Sequence, residues 1–256
     1  MPFVPARWSA ADVEHELLDP PRRAWAPFPG LEVIDRPDWT QLTCRHFPRG
    51  GLNEVSRAKL TDTNAEEVIE QTQAHYANRG LAFRWSVTPD STPLDLAQRL
   101  AKRGLVSKQL VAMARSTQTS EDTTGFEIVT ADTDLFTEVM CEGWGAPVGA
   151  MADYNRACAQ DPRFGFFVAK AQGEPAGAGG AVFFERSVYL LGGVVLPRFR
   201  RRGVYRVLTT ARLAAARARG LELATTRAMA ETSAPLLEKQ GWDAWFTFPS
   251  FSPPKV

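Results

Sequence analysis

The residues best placed to do chemistry lie between 188 and 208. An apolar run, Val188-Tyr-Leu-Leu-Gly-Gly-Val-Val195, ends at Leu196-Pro197. Arg198-Phe-Arg-Arg-Arg-Gly203 follows, and a helical pattern begins at Val204-Tyr-Arg-Val-Leu208. A strand that turns into a helix through a basic, glycine-containing loop is built to hold an anion. The first helical turn presents unpaired N–H groups and the positive end of the helix dipole, and phosphates settle there. Gly203 has no side chain to keep the backbone away from a phosphate.

Composition narrows what else the chain does. Of 256 residues 44% are hydrophobic, enough to bury a core in one large or two ordinary domains. The formal net charge of +1 lacks the basic excess of a general nucleic-acid binder. The Arg198–Arg202 cluster also has no interleaved aromatics beyond Phe199, so no nucleic-acid partner is expected. Cys44, Cys141 and Cys158 are scattered, which disfavours a disulfide framework or a structural zinc site; no metal is expected. Cys141 and Cys158 fall in expected helices and read as small core residues. His15, His46 and His75 all lie in the first half and read as surface or packing residues. A serine nucleophile would need a partnered base, and the second half has no histidine. With no signal-peptide pattern and no apolar stretch long enough to span a bilayer, a cytoplasmic protein without a membrane partner is expected. Oligomeric state is not legible.

The elements that must position the loop follow from periodicity. Downstream of residue 125 the expected strands are 126–130, 164–171, 176–184, 188–195, 222–229 and 244–248. The expected helices are 134–144, 151–160, 204–218 and 233–240, with Thr232 as cap of the last. Tight turns at Gln172-Gly173 and Glu185-Arg186 make the middle three strands antiparallel. The crossover after Val195 places 222–229 parallel to 188–195. Upstream, helices are expected at 11–18, 64–76 (capped by Thr63 or Asn64) and 93–102, and strands at 42–47, 81–87 and 110–114. Residues 116–125, STQTSEDTTG, read as an interdomain linker or a long surface loop.

This order and these residues resemble the GNAT superfamily (Gcn5-related N-acetyltransferases). Its first signature, Arg/Gln-x-x-Gly-x-Gly/Ala opening a helix after a strand and a proline, reads Arg200-Arg-Arg-Gly203-Val-Tyr205 here. Its second, a Glu-Lys-x-Gly-Phe-like phrase closing a short helix, reads Glu238-Lys-Gln-Gly-Trp242. The resemblance covers about residues 125–250. It implies an α/β fold with a mixed, mostly antiparallel sheet flanked by helices, and a soluble enzyme that moves an acetyl group from acetyl-CoA to an amine. The domains would be 1–118 and 125–256. The backbone from Arg201 through Arg202, Gly203, Val204 and Tyr205 to Arg206 would hold the pyrophosphate, with Arg200 and Arg202 adding charge. The strand end at Val194, Val195 and Leu196 would pair with the pantetheine arm. An N–H near Val194 or Val195 would stabilise the oxyanion. Ser233, opening the next helix, completes the cofactor set.

Three positions depart from the family. Leu237 stands where many members carry the tyrosine that protonates the leaving thiolate, and Ala230 where an asparagine often holds the pantetheine arm. Tyr189, Tyr205 or water remain as acids, Tyr189 also reading as a sheet-packing aromatic. Tyr205 itself replaces the last Gly/Ala, with its side chain expected to point away from the phosphates. An amine acceptor is protonated at neutral pH and needs a base. Glu142, Asp153 and Glu231 are the candidates, Glu231 preferred for its place at a strand end. Trp144 with Gly145-Ala-Pro147 either lines an acceptor pocket or packs under a loop. A non-catalytic acyl-CoA sensor is the competing reading. In the first half, Phe83–Val87, 93–104 and 110–115 resemble the closing strand–helix–Gly–strand of such a domain without its phosphate loop. That half is a degenerate copy, or an unrelated accessory α/β domain.

Overall fold

Turn chemistry cuts the middle of the chain into strands. Gln172 (φ 54°) and Gly173 (φ 81°) are both left-handed, which matches the twist of a two-residue hairpin. In the computed structural model, which describes residues 2–118, 125–130 and 132–254, the elements run α1 (Ala10–Arg22), β1 (Leu31–Asp35), β2 (Thr40–Cys44), β3 (Glu54–Ser56), α2 (Ala65–Ala77), β4 (Arg84–Ser86), α3 (Leu96–Lys102) and β5 (Val106–Ser116). They continue as β6 (Glu127–Thr130), α4 (Thr133–Trp144), α5 (Gly149–Cys158), β7 (Phe164–Ala171), β8 (Glu174–Phe183), β9 (Ser187–Val195), α6 (Val204–Ala218), β10 (Leu223–Met229), α7 (Ser233–Glu238) and β11 (Asp243–Ser252). Of the expected linker, residues 119–124 lie outside the described residues.

Contacts gather the chain into two units made of non-consecutive segments. The first takes Met1–Pro27, Met113–Thr226 and Leu236–Trp245; the second takes Phe28–Ala112, Arg227–Pro235 and Phe246–Val256.

In the first unit the strands lie in the order β10-β9-β8-β7-β6. β6 to β9 are antiparallel neighbours, and β10 runs parallel to β9, as the crossover through α6 requires. Every residue of β8 from Ala176 to Phe183 is buried. Such a run marks a strand covered on both faces, and α4 and α6 both pack on β8. α4 is closed at both ends: Asp132 accepts from the Leu135 N–H (2.9 Å), and Gly145 ends it at φ 64°. α1 belongs to this unit as well. Its capping box joins Ser9 and Asp12, and buried Glu16 accepts from the Ser187 hydroxyl at 2.5 Å. α1 runs on through Pro20 and Pro21 to Arg22, farther than periodicity indicates.

The second unit pairs β1, β2, β3 and β4 in sequence, with β11 beside β4; only the β3–β4 pair is parallel. α2 and α3 bury Val68, Ile69, Leu96 and Leu100 in a core with Trp85. Tyr76 stacks on Phe83 (4.5 Å) and donates to the Leu42 carbonyl. β1 and β3 have no counterpart in the periodicity reading. β1 buries no residue fully and β3 has three residues, so neither carries an alternation to read. Asn64 holds the N-cap position of α2 without a side-chain bond to the helix; its Oδ1 accepts from the Thr61 N–H instead.

Candidate functional site

The site begins where β9 loses a neighbour. β10 pairs with β9 only through Leu223↔Ser187, Ala224↔Val188 and Thr225↔Tyr189. At the next position the Thr226 hydroxyl, not a ladder amide, reaches the Leu190 carbonyl (3.0 Å). Beyond it Leu191 is 36% exposed and Gly192 is exposed, although they belong to a strand inside a sheet. The Leu196 N–H donates across to Ala176 of β8 (2.9 Å). Strand alternation therefore turns the N–H and C=O of Val195 to the other, open edge. There the Val195 carbonyl meets only the Arg200 Nε, at 3.5 Å, among the described residues.

This edge is bent by a bulge. The β8–β9 register shifts between Ala178 and Gly180, and Gly192 takes φ 60°. Glycines let the neighbours close in. A Cβ on Gly177 would lie 2.5 Å from the Val194 carbonyl oxygen, and one on Gly143 would lie 2.0 Å from Val194 Cγ2. The C-terminal end of α4 thus rests on the bulge. Trp144, 51% exposed, sets its ring edge 3.4 Å from where a Gly192 Cβ would stand. Trp144 thus stands beside the open edge.

The open edge leads through the Pro197–Phe199 turn into the N-terminus of α6. Arg201 (φ 64°) and Gly203 (φ 85°) are both left-handed, which folds the loop around its own amides. Gly203 occupies the N-cap position and has no side chain to cap with; the first backbone bond closed to it is Val207 N–H to its carbonyl. The amides of the first turn are left for an outside acceptor. Arg200, Arg201, Arg202 and Arg206 are exposed around them. Arg198 and Arg202 lie over the ring of buried Phe199 at 5.1 and 5.7 Å, which splays their charges. Tyr205 is half-buried, and its Cε2 lies 3.1 Å from where a Gly193 Cβ would be. The ring thus lies along β9.

The structure brings Val194, Val195, Leu196 and residues 200–206 together in the first unit. Glu142 and Asp153 belong to that unit too, and both are engaged: Glu142 with Arg198 (2.8 Å) and Asp153 with Arg156 (3.3 Å). Glu231 and Ser233 fall in the second unit. Glu231 is exposed, and the Ser233 hydroxyl accepts from the Met229 N–H (2.8 Å). Leu237 is buried, as is Tyr189. All three cysteines are buried free thiols, and burial raises each pKa, that of Cys158 to about 12. Among the described residues there is no group of three or more His, Cys, Asp or Glu placed to hold a metal, and no helix long and apolar enough to cross a membrane.

Sequence reasoning missed Arg212. It reads as a polar position of α6, yet it is 2% exposed. The glycines opposite it in β8 were the available signal: a Cβ on Gly179 would meet its guanidinium carbon at 2.9 Å.

Residues 133–242 match the model of the acetyltransferase (GNAT) family. A GCN5-related N-acetyltransferase from Kribbella flavida has this fold, with a TM-score of 0.68, 13% identity and 98% of each chain covered. Another from Sphaerobacter thermophilus gives 0.63 at 14% identity, covering 88% of this chain and 77% of that one. A tandem GNAT protein from the clavulanic acid biosynthesis pathway gives 0.58 at 12% identity, covering 97% and 98%. The likeness is one of fold, in its tandem form as well. No curated protein sequence matches.

Proposed function

We propose that this chain, whose residues 133–242 form a GNAT-family domain, binds acetyl-CoA and transfers its acetyl group to an amine. The reading rests on one observation above all: on the side away from β8, β9 has no strand partner beyond Tyr189 among the described residues, and this open edge leads through the Pro197–Phe199 turn to the uncapped N-terminus of α6. The diphosphate would lie on the amides of residues 201–206 among the arginines. The pantetheine arm would add as a strand along the open edge at Val194, Val195 and Leu196.

The amine then attacks the thioester carbon directly in a ternary complex. A C–N bond forms, the C–S bond breaks, one proton leaves the amine and one reaches the departing thiolate. Holding both reactants in one groove supplies most of the advantage. An amide of the bulged strand would stabilise the oxyanion, a contribution of about 3 kcal/mol. Glu231 remains the preferred base. Glu142 and Asp153 would first have to leave Arg198 and Arg156. Tyr205, lying along β9, is the better placed of the two tyrosines to protonate the thiolate, since Tyr189 is buried. The division into an accessory domain at 1–118 and a cofactor domain at 125–256, with the protein in the cytoplasm, belongs to this proposal, and Ser233 remains in its cofactor set.

A second reading is a non-catalytic acyl-CoA sensor. Buried Leu237 in place of the usual tyrosine favours it. Acetyl-CoA with a panel of amines separates the two. An enzyme releases free thiol in an amine-dependent way, a sensor binds acetyl-CoA without releasing thiol, and absence of binding rejects both.

A further inference from the structure

Arg212 is a cation in the interior of the first unit, and no carboxylate among the described residues pairs with it. Its Nε donates to the Leu208 carbonyl (3.0 Å), and its Nη1 donates to the carbonyls of Gly180 (3.2 Å) and Gly192 (3.0 Å). Nη2 lies 3.9 Å from where a Gly193 Cβ would be and has no acceptor among the described residues. Burial lowers the pKa to about 10, so the group stays charged at neutral pH. A buried charge without a counter-ion is costly to keep. Packing three carbonyls around it does not require a cation, and an apolar side chain would fill the space left by Gly179.

The two carbonyls it holds are those on either side of the bulge. Gly180 is the residue at which the β8–β9 register resumes, and Gly192 is the left-handed residue of β9. The Gly192 carbonyl and the Gly193 N–H belong to one planar peptide group and point in opposite directions. A cationic donor on that oxygen draws electron density through the peptide and makes the N–H a stronger donor.

We propose that Arg212 is a positioning residue for acyl transfer: it fixes the bulge of β9 and lends its charge, through the Gly192–Gly193 peptide, to an amide that binds the thioester oxygen. As the amine nitrogen bonds to the acyl carbon, the carbonyl electrons move onto that oxygen, and the Gly193 N–H meets them with more than an ordinary dipole. This rests on the acetyl-CoA reading above and extends it to a residue that contacts neither substrate.

Isotope-edited infrared spectroscopy of bound, carbonyl-labelled acetyl-CoA reads the polarisation without any acceptor amine. In the wild-type protein the thioester band should move to lower wavenumber than in water. In Arg212→Met, with the charge gone and the length kept, the shift should be lost while CoA affinity by calorimetry is held; thermal stability should fall, because the Gly180 and Gly192 carbonyls lose their donor. Arg212→Lys should restore part of it. A residue that only supported the fold would lower stability and affinity and leave the band of the remaining complex in place. An unchanged band in Arg212→Met overturns the proposal. Should that variant not fold, neutral Arg212→Gln, still able to donate to a carbonyl, decides by the same band. Failure of the wild-type protein to bind acetyl-CoA at all would instead remove the cofactor reading.

Discussion

Arg202→Glu combined with Gly203→Asp separates the anion site from the fold. Together they remove about three unit charges from the loop before α6. At about 6 Å, each pair of unit charges is worth roughly 0.7 kcal/mol in water. Screening over about 8 Å at physiological salt halves that. Against a diphosphate carrying about two negative charges, the loss is about 2 kcal/mol, or roughly thirtyfold in Kd. Stability should change far less. A Cβ at Gly203 meets only Arg206 Nη2, at 3.9 Å, so the main cost is the left-handed backbone at φ 85°. For an L-residue that is about 1 kcal/mol, a fall of roughly 2–4 °C in Tm. Calorimetry with CoA and a thermal melt measure the two effects, and Lys170→Glu on β7, a change of two unit charges away from the loop, controls for most of the change in net charge. The reasoning is refuted if the melt shifts as expected while the CoA Kd stays at the wild-type value.

Other outcomes follow from the same geometry. Gly143→Ala should destabilise the protein by about 1–3 kcal/mol in urea denaturation, because its Cβ would sit 2.0 Å from Val194 Cγ2; stabilisation from helix propensity alone would contradict the close packing of α4 on the bulge. Glu231→Gln should flatten the acidic limb of the pH–rate profile, whereas a parallel fall at every pH removes Glu231 as the base. Asp12 has its pKa lowered by hydrogen bonds from Ser9 and Arg186. Its contribution to stability is therefore present above the ordinary value of 3.8 and is lost as pH falls below it. Asp12→Asn should be less stable than wild type at neutral pH and converge with it in acid, and a pH-independent difference would reject this. Cys44, Cys141 and Cys158, buried and with raised pKa values, should stay unmodified by a thiol reagent until the protein unfolds; rapid labelling of the native protein would contradict their burial.

What was legible in the sequence tracks what leaves a local signature. The β7–β8–β9 hairpins, the parallel crossover and the helix at 204–218 are set by turn residues and periodicity, and all three are present. The phosphate loop was legible because Gly203 and its arginines are consecutive in the chain. The inner face of α6 was read less well. Val204, Val207 and Leu208 are buried, as their spacing indicates, but Ala214 and Ala215, at apolar positions of the same periodicity, are half-buried and Ala218 is exposed, whereas Thr209, Thr210, Arg212, Leu213 and Ala216 are buried. Threonine and arginine there are satisfied by carbonyls rather than by water: Thr209 by that of Tyr205, Arg212 by that of Leu208 and those of two strands. No hydropathy pattern records such bonds. The pairing of Glu142 with Arg198 was likewise out of reach, since it joins residues far apart in sequence.

The central claim is that the amides before α6 and the open edge of β9 form one continuous acyl-CoA groove. A crystal structure with CoA bound tests it most directly. The account predicts the diphosphate on the amides of residues 201–206 and the pantetheine amides paired with Val195 along the open edge. CoA bound elsewhere on the protein, or a groove closed by side chains with CoA excluded, would contradict it.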